Sequence, residues 1–412
     1  MVSTRSFFNS SAIRVMSAIL ALSFNSFGAL YLGFEEYGSY AFFILIALTI
    51  SVLVRFGADS FVVFNVSNSD TSVKEKADKI YSVVAYCSVF SIIGLLVLYL
   101  AGHLHYKSSL FIEKEAMLIF LFVLIYNANL VVTEGMKACN LTSQSFSSNL
   151  FTYIVMNLCI FLVYEFYGKT LGYHQLIQIH IVSMVFSTLL VSFLWLPFRA
   201  TTFKLHNYYE RRQDWAPMYL YGISSTITSQ GIPIVVGILI TAEHFGVISL
   251  FSKYFATSAL FMSVVNAYVA PIVAERYKSG DISQLYSFIK YINIRMIIAG
   301  TLFFIGSVSL YVLFEGFLPI EMQGILLVVV MLAIGSSLNI ATGPVNTITI
   351  MTGLSGFLAK FNLIIGVIGT IITYFICELY QLNGAAISIF IGAFLTNVPL
   401  KYFLFVKRGI PY

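Results

Sequence analysis

The sequence predicts an all-α polytopic membrane protein of about twelve transmembrane helices, and three observations predict it. Of its 412 residues, 59% are hydrophobic and 10% are charged, whereas soluble domains run near a quarter charged and about half apolar. Mean hydropathy is +0.89. The apolar residues fall in unbroken runs of about 20, the length a bilayer-crossing helix needs, not in the alternating pattern of an outer-membrane barrel. Two compact soluble domains are excluded on the same grounds. The 23 Lys and Arg exceed the 18 Asp and Glu, but no basic run is long enough to track a phosphate backbone, so no nucleic-acid partner is expected.

Apolar runs bounded by charge, Gly and Pro place the spans at 12–33, 39–64, 80–102, 115–134, 147–167, 175–197, 216–240, 245–273, 291–314, 323–347, 357–380 and 384–406. The first follows Arg5 and Arg14 and lacks a small-x-small cleavage site, so it reads as a span and not as a signal peptide. With both termini in the cytoplasm, nearly all Lys and Arg fall in inner loops or at inner helix ends. Outside remain Lys107, Lys114 and Lys169, and Lys253 lies within a span. That asymmetry sets the orientation expected here, with both termini inside. Outer loops are short, the longest running from Gly102 to Lys114, which leaves no room for an external domain.

The charged, aromatic stretch from Phe198 to Trp215 divides the chain into two halves of six spans. The expected organisation is an N-terminal lobe at 1–200, a cytoplasmic linker at 201–215 and a C-terminal lobe at 216–412. The halves carry repeat signals. At an offset of 208, Glu35, Tyr37 and Gly38 meet Glu243, Phe245 and Gly246, and Gly135 meets Gly343; farther on, Asn149-Leu150 meet Asn362-Leu363, and Glu165 and Tyr167 meet Glu378 and Tyr380. Halves with an even number of spans are parallel repeats about an axis along the membrane normal.

No nucleotide-binding, serine-hydrolase or zinc-peptidase motif is present, and no carboxylate pair is spaced for acid–base work. An enzyme is therefore not expected. Cys87, Cys139, Cys159 and Cys377 show no ligand spacing, and His103 and His105 read as parts of a solvated loop, so no metal site is expected.

What remains is charge inside the membrane, costly enough at a helix centre to be functional as a rule. Lys253 lies deepest. Ser249, Lys253 and Thr257, at i, i+4 and i+8, form a polar stripe; Lys253 either lines a cavity or snorkels and pairs. Arg14, Ala18, Ala21, Asn25 and Gly28 form a small and polar face in span one, fit either to line a cavity or to let helices approach. Arg55 and Asp59 are four apart and read as a salt bridge, with gating or ion coupling at Asp59 as the other reading; Glu134 is a second candidate for ion coupling. Arg295 and Lys360 read as interfacial anchors. Ser336, Asn339, Gly343 and Asn346 form a stripe in span ten, and Gln230 and Pro233 interrupt span seven. The basic set exceeds the acidic one, which favours an anionic cargo.

The segment LYLGFEEYGSYAFFILIALTISVLVRFGAD (Leu30 to Asp59) resembles the first two spans of Wzx-type O-antigen flippases of the multidrug/oligosaccharidyl-lipid/polysaccharide (MOP) exporter superfamily. The stretches from Ile240 to Leu285 and from Gly343 to Leu363 resemble their seventh and eighth spans and their tenth-to-eleventh connection. The shared pattern is apolar, with Gly38, Gly246 and Pro271 as its fixed points.

This resemblance implies two six-helix lobes in a V, alternating access about a cationic cavity, and an undecaprenyl-diphosphate-linked oligosaccharide moved from the cytoplasmic to the periplasmic leaflet of a bacterial inner membrane. Basic residues in spans one, two and eight of related lipid II flippases imply cavity roles for Arg14, Arg55 and Lys253. No cofactor is implied beyond an H+ or Na+ gradient. The implied partners are the lipid-linked cargo, membrane lipids, an O-antigen polymerase and a chain-length regulator. Alternatives are a flippase for another lipid-linked glycan (capsule, enterobacterial common antigen or teichoic acid), a drug exporter of the superfamily, which needs acidic residues in its cavity, and the polymerase, which needs a large outer loop.

Overall fold

The computed structural model describes all residues except 1–3, 68–72, 105–109, 140, 168–171, 196–211, 320, 321, 323 and 409–412. The described residues form α1 (Thr4–Leu32), α2 (Phe34–Arg55), α3 (Ala58–Ser67), α4 (Val73–Leu104), α5 (Leu110–Ala138), α6 (Thr142–Tyr167), α7 (Tyr173–Trp195), α8 (Arg212–Leu239), α9 (Ala242–Phe255), α10 (Thr257–Lys278), α11 (Ile282–Phe314), α12 (Leu326–Ala341), α13 (Val345–Met351) and α14 (Ser355–Arg408), with a single 3-10 turn at Glu315–Phe317. Among these residues there is no strand. Helices suit this composition because in lipid every backbone polar group must be bonded within its own segment.

Among the described residues, eleven helical segments are long and apolar enough to cross a bilayer. The last of them contains two passes. At Gln381 the backbone leaves helical geometry (φ 46, ψ −118), and the chain doubles back: Cys377 Sγ lies 3.8 Å from Ser388 Oγ, and the rings of Phe357 and Phe403 stack at 4.1 Å. Twelve passes result, as the sequence predicts.

The chain divides into two compact units, Met1–Ile223 and Ser224–Tyr412. The first holds α1 to α7 and the start of α8; the second holds the rest. Most of the expected linker at 201–215 lies outside the described residues, and its last four residues open α8.

Helix interruptions position the polar groups. The second pass of the first unit breaks between α2 and α3, where Phe56 adopts left-handed geometry (φ 50, ψ 37) and Gly57 follows at φ 73. Phe56 is held between the rings of Phe90 and Tyr219, at 5.7 and 5.8 Å, while Tyr219 Oη donates to Leu53 O (2.7 Å). The second pass of the other unit breaks at Ala256, between α9 and α10. A third interruption falls at Thr342, Gly343 and Pro344, where Gly343 sits at φ 74 and Pro344 has no N–H to continue the ladder. Gln230 and Pro233, by contrast, do not interrupt their span: α8 runs through both. Transmembrane helices absorb a proline when neighbouring groups take up the freed carbonyl.

Close approaches occur at small residues, as expected where lipid offers no hydrophobic drive between helices. In the C-terminal unit, a Cβ on Gly366 of α14 would lie 3.0 Å from the backbone of Thr228 on α8, and Thr228 Oγ1 donates to Asn362 O (2.7 Å). Gly366→Val is expected to destabilise the unit by about 1–3 kcal/mol, the usual cost of overpacking. Gly356, which has nothing within 4 Å of its built Cβ, serves as the control. Thermal unfolding in detergent checks this, with Gly356→Val expected to match wild type.

Candidate functional site

In the N-terminal unit the break after α2 sets Arg55 into a buried polar network. Its guanidinium Nε lies 3.2 Å from Asp59 Oδ1, and its Nη1 donates to Ser51 Oγ (3.3 Å) and Asn127 Oδ1 (3.5 Å). Ser51 Oγ also donates to Asn127 Oδ1 (2.7 Å), and Asn127 Nδ2 donates to Ser91 Oγ (3.0 Å). Ser51, Ser91 and Asn127 are fully buried and Arg55 is nearly so. The network ties α2, α4 and α5 together, with Asp59 of α3 as the counter-charge.

Arg14 is half-buried on α1, its guanidinium stacked 3.8 Å above the Phe146 ring of α6. Lys137 Nζ lies 5.2 Å from the same ring and is paired with Glu134 at 2.5 Å. Two cations therefore contact one aromatic ring; Lys137 is ion-paired with Glu134, which also acts on the charge of Arg14. Asn25, on the same face of α1 as Arg14, is buried and engaged: its Nδ2 donates to Ala21 O (2.5 Å), and its Oδ1 accepts from Tyr37 Oη (2.7 Å).

In the C-terminal unit Lys253 occupies the last turn of α9. Its side chain is exposed and makes no hydrogen bond or ion pair among the described residues. An ammonium there is favoured by the free carbonyls of the helix end. Ser249, half-buried one turn earlier, shares its face. Thr257 starts α10 beyond the break and donates to Tyr254 O (2.7 Å), so the stripe read along one helix is divided between two. Asn339 is half-buried on α12 and Asn346 is exposed on α13. Arg295 stacks on Tyr291 at 3.8 Å, and Lys360 is exposed.

Two features do not follow from the sequence pattern. Lys401, on the second leg of α14, donates to Ala341 O (3.4 Å) at the end of α12, placing a cation on the carbonyl end that the Gly343–Pro344 break exposes. Glu115, at the start of α5, is buried and meets Tyr173 and His174 of α7. Both partnerships join residues about 60 positions apart.

Among the described residues no group of three His, Cys, Asp or Glu side chains is placed to hold a metal ion; His103 and His105 lie outside the described side chains. Burial pushes the Cys139 thiol above its ordinary value, against the lowering effect of Lys76. That keeps it protonated and unreactive.

The architecture matches solved transporters along nearly its whole length. An inward-facing multidrug resistance MATE family transporter of the MOP superfamily superposes with a TM-score of 0.67 and 12% identity, over 96% of this chain and 94% of its own. The lipid II flippase MurJ, in an inward closed conformation, gives a TM-score of 0.70 and 13% identity, over 97% and 87%. A MOP superfamily transporter from Pyrococcus furiosus, described as having a binding pocket of reversed polarity, gives 0.63 and 12%, over 98% and 95%. No family model matches the sequence, and no curated protein matches it. The chain thus has the fold of MOP superfamily transporters, a class that includes drug exporters and a lipid flippase.

Proposed function

We propose that this chain is a flippase that carries undecaprenyl-diphosphate-linked O-antigen repeat units from the cytoplasmic to the periplasmic leaflet of a bacterial inner membrane by alternating access, with both of its termini in the cytoplasm. The observation that carries this reading is the imbalance of charge in the spans. Asp59 and Glu134 each lie beside a base; Lys253 has no carboxylate partner among the described residues, and Arg14 makes no close ion pair there, Glu134 acting on its charge only from a distance. Such groups are kept at a cost and call for an anion.

A diphosphate cannot cross hydrocarbon unaided, since an unpaired ion there costs tens of kcal/mol by Born estimates. Lysine and arginine bind phosphate through charge-assisted hydrogen bonds, about twice as strong as neutral ones. Arg14 in the N-terminal unit and Lys253 in the C-terminal unit are each assigned a phosphate-binding role, and Arg55 is held in place by Asp59. Ser249, Thr257 and Asn339 supply hydroxyl and amide groups for sugars, whereas Asn25, expected to do the same, is buried and taken up by Ala21 and Tyr37. The fold shared with the lipid II flippase supports a lipid-linked cargo. The chain acts without a catalytic centre, beside an O-antigen polymerase and a chain-length regulator.

The MATE neighbours favour a second reading, export of cationic drugs. That chemistry needs carboxylates free of cations: the pairing of Asp59 and Glu134 weighs against it, while Glu115, which meets Tyr173 and His174 and no lysine or arginine among the described residues, is the carboxylate that favours it. Cells lacking the gene separate the readings. Loss of surface glycan with single lipid-linked units trapped on the cytoplasmic face is expected. Unpolymerised units on the periplasmic face would point instead to the polymerase, and unchanged pools with raised drug sensitivity to an exporter.

A further inference from the structure

Three helices of the N-terminal unit, α2, α5 and α7, begin at the end of the unit opposite the start of α1, because α1, α4 and α6 each run toward that end. Their first two turns bring together Glu36, Glu115, Tyr173 and His174. Glu115 is 2% exposed. Its Oε1 accepts from Tyr173 Oη (2.8 Å). Its Oε2 has no hydrogen-bond partner and faces His174 Nδ1 at 3.4 Å. His174 is half exposed, at 52%, and stacks on Tyr173 with ring centroids 4.1 Å apart. The Tyr173 backbone N–H donates to Glu36 Oε2 (2.8 Å).

A buried carboxylate is costly unless a charge or a proton meets it. Asp59 and Glu134 have permanent cations, an arginine and a lysine. Glu115 has a partner that is charged only when protonated, and that partner is open to solvent. We propose that Glu115 and His174 form a proton-binding site, and that its occupancy controls how the start of α7 is fastened to α2 and α5. A proton from solvent enters on the exposed imidazole. The Nδ1–Oε2 approach lets it be shared with the carboxylate, and no other bond changes. With the proton present the two groups attract as opposite charges; without it that attraction is lost, and Glu115 faces a neutral imidazole beside the Tyr173 hydroxyl.

The groups facing Glu115 are Tyr173 and His174 of α7. Glu36 of α2 reaches the same turn, and Glu35 stands exposed beside it. The remaining described titratable side chains at this end are Tyr31 of α1, Tyr99 of α4, and Tyr164 and Glu165 of α6; the side chains of 98 and 100–114 lie outside the described ones. Farther along α7, His180 Nδ1 and Tyr40 Oη of α2 are 2.8 Å apart, a second histidine contact across which a loosened α7 would be felt.

The test needs no cargo, so its failure is separate from failure of the flippase reading. The full-length protein in bilayers is titrated by infrared difference spectroscopy between about pH 4 and pH 8, the range of ordinary carboxyl and imidazole titration. Wild type is expected to show a buried carboxyl band that Glu115→Gln abolishes and Tyr173→Phe retains. His174→Gln, a change at an exposed position that leaves the fold intact, is expected to change the pH dependence of that band, because it removes the imidazole that faces Glu115. A band unchanged in Glu115→Gln, or a midpoint unmoved in His174→Gln, would overturn the proposal.

Discussion

Lys253→Ala is expected to reduce transport at least tenfold while the protein still inserts at wild-type levels, and Lys253→Arg to keep part of the activity. A hydrogen bond to a charged group is worth about 1.5–3 kcal/mol, and 1.36 kcal/mol is a factor of about ten in a rate. Lys253 is exposed and bonds to no described residue, so its removal leaves no buried group unpaired and costs the fold little. Arginine keeps the charge but changes a compact ammonium for a planar fork, which is why rescue is partial. Surface glycan per unit of membrane protein measures this. Wild-type glycan from Lys253→Ala at matched levels would remove Lys253 from the transport path.

The second large effect is on stability. Asp59→Asn leaves the Arg55 guanidinium buried among Ser51 and Asn127 with no counter-charge. Removing one member of a buried pair costs about 3–5 kcal/mol; Asp59 is 27% exposed, so solvent screening puts the expected loss at the low end of that range. The double variant Arg55→Met with Asp59→Leu removes both charges and is expected to recover most of the loss, since apolar replacement of a whole pair is often neutral. Thermal unfolding of the two variants reads this directly. A double variant no better than the single would show that Arg55 is required for packing in its own right.

The all-helical class, the number of passes and their order are legible in the sequence because apolar run length is set by bilayer thickness. The interruptions are less so. Gly343 and Pro344 divide the stripe from Ser336 to Asn346 that the sequence places along one span, and Phe56 takes a left-handed conformation that a bulky residue rarely adopts, fixed by the rings of Phe90 and Tyr219. Gln381 turns the chain with no glycine or proline at that residue. Pro233 shows the converse, a breaker that breaks nothing. At the candidate site the Arg55–Asp59 pair is readable because its partners are four residues apart. The Arg14–Phe146 stack, the Glu115–His174 pair and the Lys401–Ala341 bond depend on helices that meet only after folding, so spacing along the chain carries no trace of them.

The most direct test of the flippase reading is translocation by the purified protein in vesicles carrying an undecaprenyl-diphosphate-linked repeat unit, followed by the access of an added glycosidase to the sugars. The expected result is lipid exchange between leaflets that depends on the protein and is lost in Lys253→Ala. Exchange no faster than in protein-free vesicles, with a cationic dye transported by the same preparation, would contradict it.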